Sequence, residues 1–188
     1  GPKAKLQQVM MTIGQKAAFE LVVLDGPAGG FTDASEAAAE LAAAIEAIPG
    51  LDKTRLLLFG GWMSASRGAG ATMQMIGERL GVTEQFQGVD ELKVGADGTL
   101  TIKERVEAGA YQVSVVAGPP AVLGWATGNL PEPLNNPQVG MQNMRLIMPA
   151  LQKAKPAKVG AEGVTFATVE LPKRSEEHTS ELQSPYVI

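Results

Sequence analysis

The chain has 188 residues, of which 45% are hydrophobic and 19% are charged. These proportions are typical of a globular domain with a sizeable core and exclude an intrinsically disordered chain. The net charge of −4, without a basic stripe, argues against nucleic acid as a partner. No apolar run reaches the roughly 18 residues of a membrane span, and no signal peptide is visible. The lack of cysteine excludes disulfides and thiolate metal sites and suits the cytoplasm.

The first half of the chain predicts helices that alternate with short apolar strands. In order, these are a helix over residues 3–16, a strand over 19–24, a helix over 34–48 capped by Thr32 or Asp33, a strand over 55–59 and a helix over 69–80. Such alternation predicts right-handed crossovers and a parallel sheet. Because an α/β domain of this kind normally begins with a strand, we expect one strand to be missing upstream of the first helix.

After Gly81 the hydrophobic period shortens from the helical value to the alternation of strands. Three alternating runs, over residues 89–94, 100–106 and 111–116, are separated by glycine-containing loops and predict an antiparallel meander. A strand over 121–126, a helix from Met141 to about Lys155 and an alternating strand over 164–171 follow. The predicted fold class is therefore α/β: a parallel sheet with flanking helices, doubly wound as in nucleotide-binding domains, with a meander attached.

The loop after the second strand consists mostly of small residues and is the candidate ligand site. Glycine lets backbone N–H groups approach an anion closely, hydroxyls donate hydrogen bonds, and the following helix places a partial charge of about +0.5 at its N-terminus. The residues that offer these groups are Gly60, Gly61, Ser64, Ser66, Arg67, Gly68, Gly70 and Thr72. The alternative for the same residues is a tight strand-to-helix connection without a ligand.

The sequence at the end of the chain is not typical of a folded segment. Residues 174–184, RSEEHTSELQS, are polar and aperiodic, and a common short-read sequencing adapter translates into them codon for codon. We therefore expect a single, N-terminally truncated α/β domain over residues 1–173 and a non-native tail over 174–188. The tail contains His178, the only histidine. Without it, a Ser-His-Asp triad or a histidine-ligated zinc site has no imidazole.

Acidic pairs elsewhere offer little prospect of acid–base catalysis. Glu104 with Glu107, and Asp90 with Glu91, lie in polar stretches between apolar runs. Solvated surface charge is the better interpretation of both pairs. An enzyme that acts through its own side chains is therefore disfavoured. An NAD-linked oxidoreductase is disfavoured too, since no G-x-G-x-x-G follows the first strand.

Several segments in a fixed order resemble the β subunit of electron transfer flavoproteins. They are LAAAIEAI (residues 41–48), LLLFGG (56–61), MIGERLGV (75–82), PPAVLGW (119–125), NLPEP (129–133) and LIMPALQKAKPAKV (146–159). The resemblance covers residues 6–173. It implies a subunit of a heterodimeric electron carrier. In such carriers the α subunit makes most of the contacts to the FAD, while the β subunit binds AMP or a second FAD. It also implies flavin dehydrogenases as donors, a quinone oxidoreductase or another acceptor, and a bacterial cytoplasmic setting.

The resemblance also implies roles for two regions of this chain. The loop over residues 61–72 corresponds to the family's nucleotide-phosphate loop, although Ala65-Ser66-Arg67-Gly68 replaces its usual acidic run. Leu146, Ile147 and Met148 occupy the region of a recognition loop that anchors partner dehydrogenases. The alternative there is a core stripe at helical spacing, formed by Met141, Met144, Met148 and Leu151.

A stand-alone adenine-nucleotide-binding module of the same layered type, similar to stress proteins, is the alternative function. Such a protein would be a homodimer without flavin. The meander and the KAKPAKV segment (residues 153–159) favour the electron carrier.

Overall fold

A computed structural model describes residues 2–26, 33–64, 70–126 and 132–157. The helices are α1 (Lys3–Ile13), α2 (Ala34–Glu46), α3 (Thr72–Leu80) and α4 (Pro137–Gln152). The strands are β1 (Leu24–Asp25), β2 (Leu57–Gly61), β3 (Gln85–Val94), β4 (Leu100–Arg105), β5 (Tyr111–Val116), β6 (Ala121–Trp125) and β7 (Lys155–Pro156). The strand predicted over 164–171 and the tail over 174–188 lie outside the described residues.

Five strands form one mixed sheet in the order β2-β6-β3-β4-β5. β6 runs parallel to both β2 and β3, whereas β4 pairs antiparallel with β3 and β5. The prediction of an α/β fold with a meander is confirmed, and the meander continues the same sheet. β1 and β7 form a separate, two-stranded parallel sheet. The predicted crossover from β1 through α2 to β2 therefore does not lie within one sheet.

Several predicted boundaries are wrong, and local hydrogen bonds explain most of the shifts. The strand predicted over 19–24 is reduced to Leu24–Asp25, which pairs with β7. β2 starts after a 3-10 turn (Lys53–Arg55) because the Asp52 carboxylate accepts hydrogen bonds from the backbone and hydroxyl of Thr54, at 3.0 and 2.6 Å. α3 begins at Thr72, and Ala71 is its N-cap residue, whose carbonyl oxygen accepts a hydrogen bond from the N–H of Met75 at 3.0 Å.

The capping groups of α2 and α4 explain where these two helices start. Asp33 caps α2, as predicted, by accepting a hydrogen bond from the Ser35 N–H at 2.8 Å. α4 starts four residues before Met141 because the Asn136 side chain accepts from the N–H groups of Gln138 and Val139, with a proline at the first helical position. α4 ends at Gln152, and the lysine-rich segment after it enters β7.

Three hydrophobic clusters hold these elements together. One lies between α2, α3 and one face of the mixed sheet, and a second lies on the opposite face. The third joins α1 and α4 through Met10, Val23, Ile147 and Leu151. Asn143 is buried beside it and donates to the carbonyl oxygens of Gly14 and Ala17, both at 2.7 Å, so that its amide is satisfied. None of the helices among the described residues is long and apolar enough to cross a membrane.

Candidate functional site

The candidate site lies where the parallel strands of the mixed sheet end. β2 and β6 run side by side and finish together, with Gly61 opposite Trp125. The pairing extends one residue further, because the N–H of Trp62 donates to the carbonyl oxygen of Trp125 at 3.3 Å. In open α/β sheets, ligands bind in the crevice at the carboxyl ends of the strands. The loop singled out in the sequence therefore leaves the sheet at the edge where a ligand site is expected.

The structure describes both ends of this loop. Gly60 and Gly61 are the last residues of β2, and Ser64 follows in the loop. Gly70 precedes α3, and Thr72 is the first residue of that helix. Ser66, Arg67 and Gly68 lie within residues 65–69, outside the described part of the chain. Of the described candidates, Gly60 lies against Met73 of α3, and Gly70 lies against the backbone of Trp62.

The glycines of the loop differ in what surrounds them. A Cβ atom on Gly60 would collide with the sulfur of Met73, and one on Gly70 would collide with the backbone carbonyl oxygen of Trp62. At Gly61, a Cβ atom would meet nothing within 4 Å. Gly60 and Gly70 are therefore required by the packing of the protein itself. Among the described glycines of this loop, Gly61 is the one that faces open space.

The N-terminus of α3 lies at the far end of the same loop. Its N-cap residue is Ala71, whose side chain has no hydrogen-bond acceptor, and no side-chain capping bond forms there. The first N–H groups of a helix favour an anion, both by direct hydrogen bonding and through the helix dipole. The hydroxyl of Thr72 is on the first turn of the same helix.

An irregular segment of β3 contacts the residues at the two ends of the loop. Gly88 has a φ of +67°, and the pairing of β3 with both β4 and β6 shifts register around Val89. The Gln87 side chain donates to the carbonyl oxygen of Gly70 at 3.3 Å. A Cβ atom placed on Gly88 would lie 3.6 Å from the backbone carbonyl oxygen of Arg105 and 3.7 Å from the ring of Trp62. This irregular segment, a β-bulge, therefore contacts the first and the last described residues of the loop.

Asp90 corrects one interpretation made from the sequence. Asp90 and Glu91 were both expected to be solvated, but the Asp90 side chain is only 8% exposed. It accepts a hydrogen bond from Nε of Arg105 at 2.6 Å, and this bond raises the pKa of Arg105. Glu91 is solvated as expected and pairs with Lys93 at 2.8 Å. The bulge changes which face Asp90 occupies, and such a shift leaves no local signal in the residue pattern.

The candidate partner-binding residues on α4 separate into two groups. Leu146 and Met148 are 49% and 43% exposed, whereas Ile147 is 1% exposed. Ile147 packs with Met10 and Leu151 in the third cluster, so its side chain is not presented to a partner. Of the residues predicted as a core stripe, only Leu151 is buried; the exposed members are Met141, Met144 and Met148.

Comparison of the chain with models of known protein families and with curated protein sequences finds no match. The family resemblance therefore rests on the quoted segments of this chain.

Proposed function

We propose that this chain is the β subunit of a heterodimeric electron transfer flavoprotein and binds an adenine nucleotide at the carboxyl edge of its sheet. The observation that carries the proposal is a loop that leaves the carboxyl end of β2 and enters α3 at an N-terminus without a side-chain cap. This loop is the one that the family resemblance assigns to the nucleotide phosphate. The nucleotide is AMP or a second FAD. The α subunit makes most of the contacts to the FAD that carries the electrons.

In this proposal the chain carries electrons and makes no covalent bonds itself. Electrons arrive from flavin dehydrogenases and leave to a quinone oxidoreductase or another acceptor. The exposed methionines and Leu146 on α4 form the docking surface for these partner proteins. Methionine side chains repack easily, which suits a surface that serves more than one partner.

We further propose that the complete sheet is doubly wound and has one more parallel strand between β1 and β2, encoded upstream of Gly1. The support is an apolar cavity of about 330 Å³. It is lined by β1 and by residues of α1 and α2 such as Met10, Leu41 and Ile45. Ile45 also packs against the cluster that includes Leu58 of β2. A strand in this position would join the two sheets and cover the apolar side chains of the cavity.

Co-expression with an electron transfer flavoprotein α subunit tests this assignment. We expect the two chains to elute as one complex with the absorption spectrum of bound flavin. A matched control is co-expression of the α subunit with an unrelated α/β domain. If the chain instead elutes as a flavin-free homodimer that binds adenine nucleotide, the stand-alone nucleotide-binding module is the correct function.

A further inference from the structure

A groove of about 570 Å³ lies between α1 and α4. Its walls include three exposed methionines, Met11 of α1 and Met141 and Met144 of α4. Met148, which is exposed as well, continues the stripe along α4, since residues 141, 144 and 148 follow the i, i+3, i+7 spacing of one helix face. Most of the stripe that the sequence suggested as core is therefore open to a partner.

The floor of the groove is fixed by packing and by hydrogen bonds. Ile147 lines it and is almost completely buried. The Asn143 side chain donates to the carbonyl oxygen of Gly14 at 2.7 Å. The N–H of Asn136 donates to the carbonyl oxygen of Gln15 at 2.8 Å. These bonds hold the end of α1 against α4, so the groove is preformed, while its methionine walls can repack around an incoming side chain.

The charges around the groove favour an acidic partner. α1 and α4 contain no aspartate or glutamate, although the chain as a whole has a net charge of −4. Arg145 lines the groove, is exposed and forms no ion pair with another described residue. Glu132, which precedes α4, is already paired with Lys16 at 2.6 Å. A symmetric dimer through this groove would bring two acid-free surfaces together, whereas an acidic partner supplies a carboxylate for Arg145.

The surroundings of the groove favour a helix as its occupant. None of the described residues that line it belongs to a strand, so an extended peptide has no sheet edge to join. An amphipathic helix needs no such edge, because it satisfies its own backbone and places its apolar face in a hydrophobic groove. Methionine-lined grooves suit this mode of binding, since their side chains adapt to different apolar partners.

We propose that the groove between α1 and α4 binds an amphipathic helix of a partner protein. Apolar side chains of this helix pack against Met11, Met141 and Met144, and an acidic side chain on its flank pairs with Arg145. This inference deepens the docking surface of the proposed function and rests on it for the identity of the partner, a flavin dehydrogenase or an electron acceptor. The ion pair sets the orientation of the partner helix.

The test measures the fluorescence anisotropy of three helical peptides of about 18 residues, roughly five turns, labelled with the same uncharged dye and added to the full chain. The acidic peptide has leucine at i, i+3, i+4 and i+7 spacing and glutamate on its flanks. The basic peptide has lysine in place of each glutamate, and the third peptide is the acidic sequence scrambled. We expect the acidic peptide to bind at least about tenfold more tightly than the other two, and more weakly as the salt concentration rises.

Variants of the groove separate its charged and apolar contributions. Arg145→Glu should weaken the acidic peptide by about tenfold and strengthen the basic one. Met144→Ser should also weaken the acidic peptide by about tenfold, whereas Met144→Leu keeps an apolar side chain and should bind it normally. Arg55→Glu makes the same charge change at an exposed arginine outside the groove and should leave all affinities unchanged. Because the substituted side chains are exposed, each variant should keep the circular dichroism spectrum of the wild type.

The outcomes separate this inference from the proposed function. Equal binding of the acidic and scrambled peptides, or an affinity that responds to neither Arg145→Glu nor Met144→Ser, overturns the groove as a helix site. A chain that elutes as a dimer and becomes a monomer in Met144→Ser places a second copy in the groove and overturns it as well. If the peptides fail while the complex with the α subunit still forms with bound flavin, the groove is wrong and the β-subunit assignment stands. If the acidic peptide binds but no flavoprotein forms, the groove stands and the proposed function fails.

Discussion

Ile147→Ala is expected to lower the free energy of unfolding by about 2–5 kcal/mol, the usual cost of removing a buried aliphatic side chain. Ile147 is almost completely buried between α1 and α4, whereas its neighbour Leu146 is about half exposed. Leu146→Ala, a matched control on the same helix, should change stability by less than about 0.5 kcal/mol. Urea denaturation followed by circular dichroism measures both values.

Variants at the two exposed positions of this segment test the docking surface. Leu146→Ala and Met148→Ala should slow electron transfer from a partner dehydrogenase without loss of flavin. An apolar anchor that contributes 2 kcal/mol corresponds to about a thirtyfold change in affinity. If Leu146→Ala destabilises the fold as much as Ile147→Ala, Leu146 belongs to the core and the docking surface is assigned wrongly. Unchanged electron transfer in both surface variants would also contradict it.

Gly70→Val is expected to destabilise the fold by about 1–3 kcal/mol and to abolish nucleotide binding, because its side chain would collide with the carbonyl oxygen of Trp62.

Gly61→Val provides the sharper test. Its Cβ atom meets nothing within 4 Å in the free protein, so stability should stay within about 0.5 kcal/mol. Its side chain would nevertheless project into the open space at the carboxyl end of β2, where we propose that the nucleotide binds.

Stability and nucleotide affinity must therefore respond differently in the two glycine variants. We expect Gly61→Val to lose at least tenfold in affinity for AMP while its melting temperature remains that of the wild type. Calorimetry and thermal denaturation on the same samples measure both quantities. If Gly61→Val binds AMP normally, the open space beside β2 is not the phosphate site.

Much of the fold could be predicted because its signals are local. The limits of β5 follow from alternation between two glycine-containing turns, and Asp33, which caps α2, was one of the two residues predicted as its cap. The strand predicted over 19–24 was mostly wrong, because an apolar run becomes a strand only where a neighbouring strand can pair with it. The described residues provide such a partner for Leu24 and Asp25 alone, in β7.

The loop between β2 and α3 could be placed from the sequence, but its details depend on contacts between distant residues. Glycine spacing located the loop, yet only the structure shows that Gly70 accommodates the Trp62 carbonyl while Gly61 faces open space. The burial of Asp90 was missed because the residue lies at a register shift in β3 and pairs with Arg105, fifteen positions along the chain. Neither fact follows from local composition or periodicity.

The nucleotide content of the purified complex tests the central claim most directly. The complex with the α subunit is denatured, flavin is measured by its absorbance, and the released nucleotides are separated by chromatography. We predict one adenine nucleotide per complex, AMP or FAD, in addition to the flavin that the α subunit holds. Only the flavin of the α subunit, with no further adenine nucleotide, would contradict the proposed role of the loop after β2.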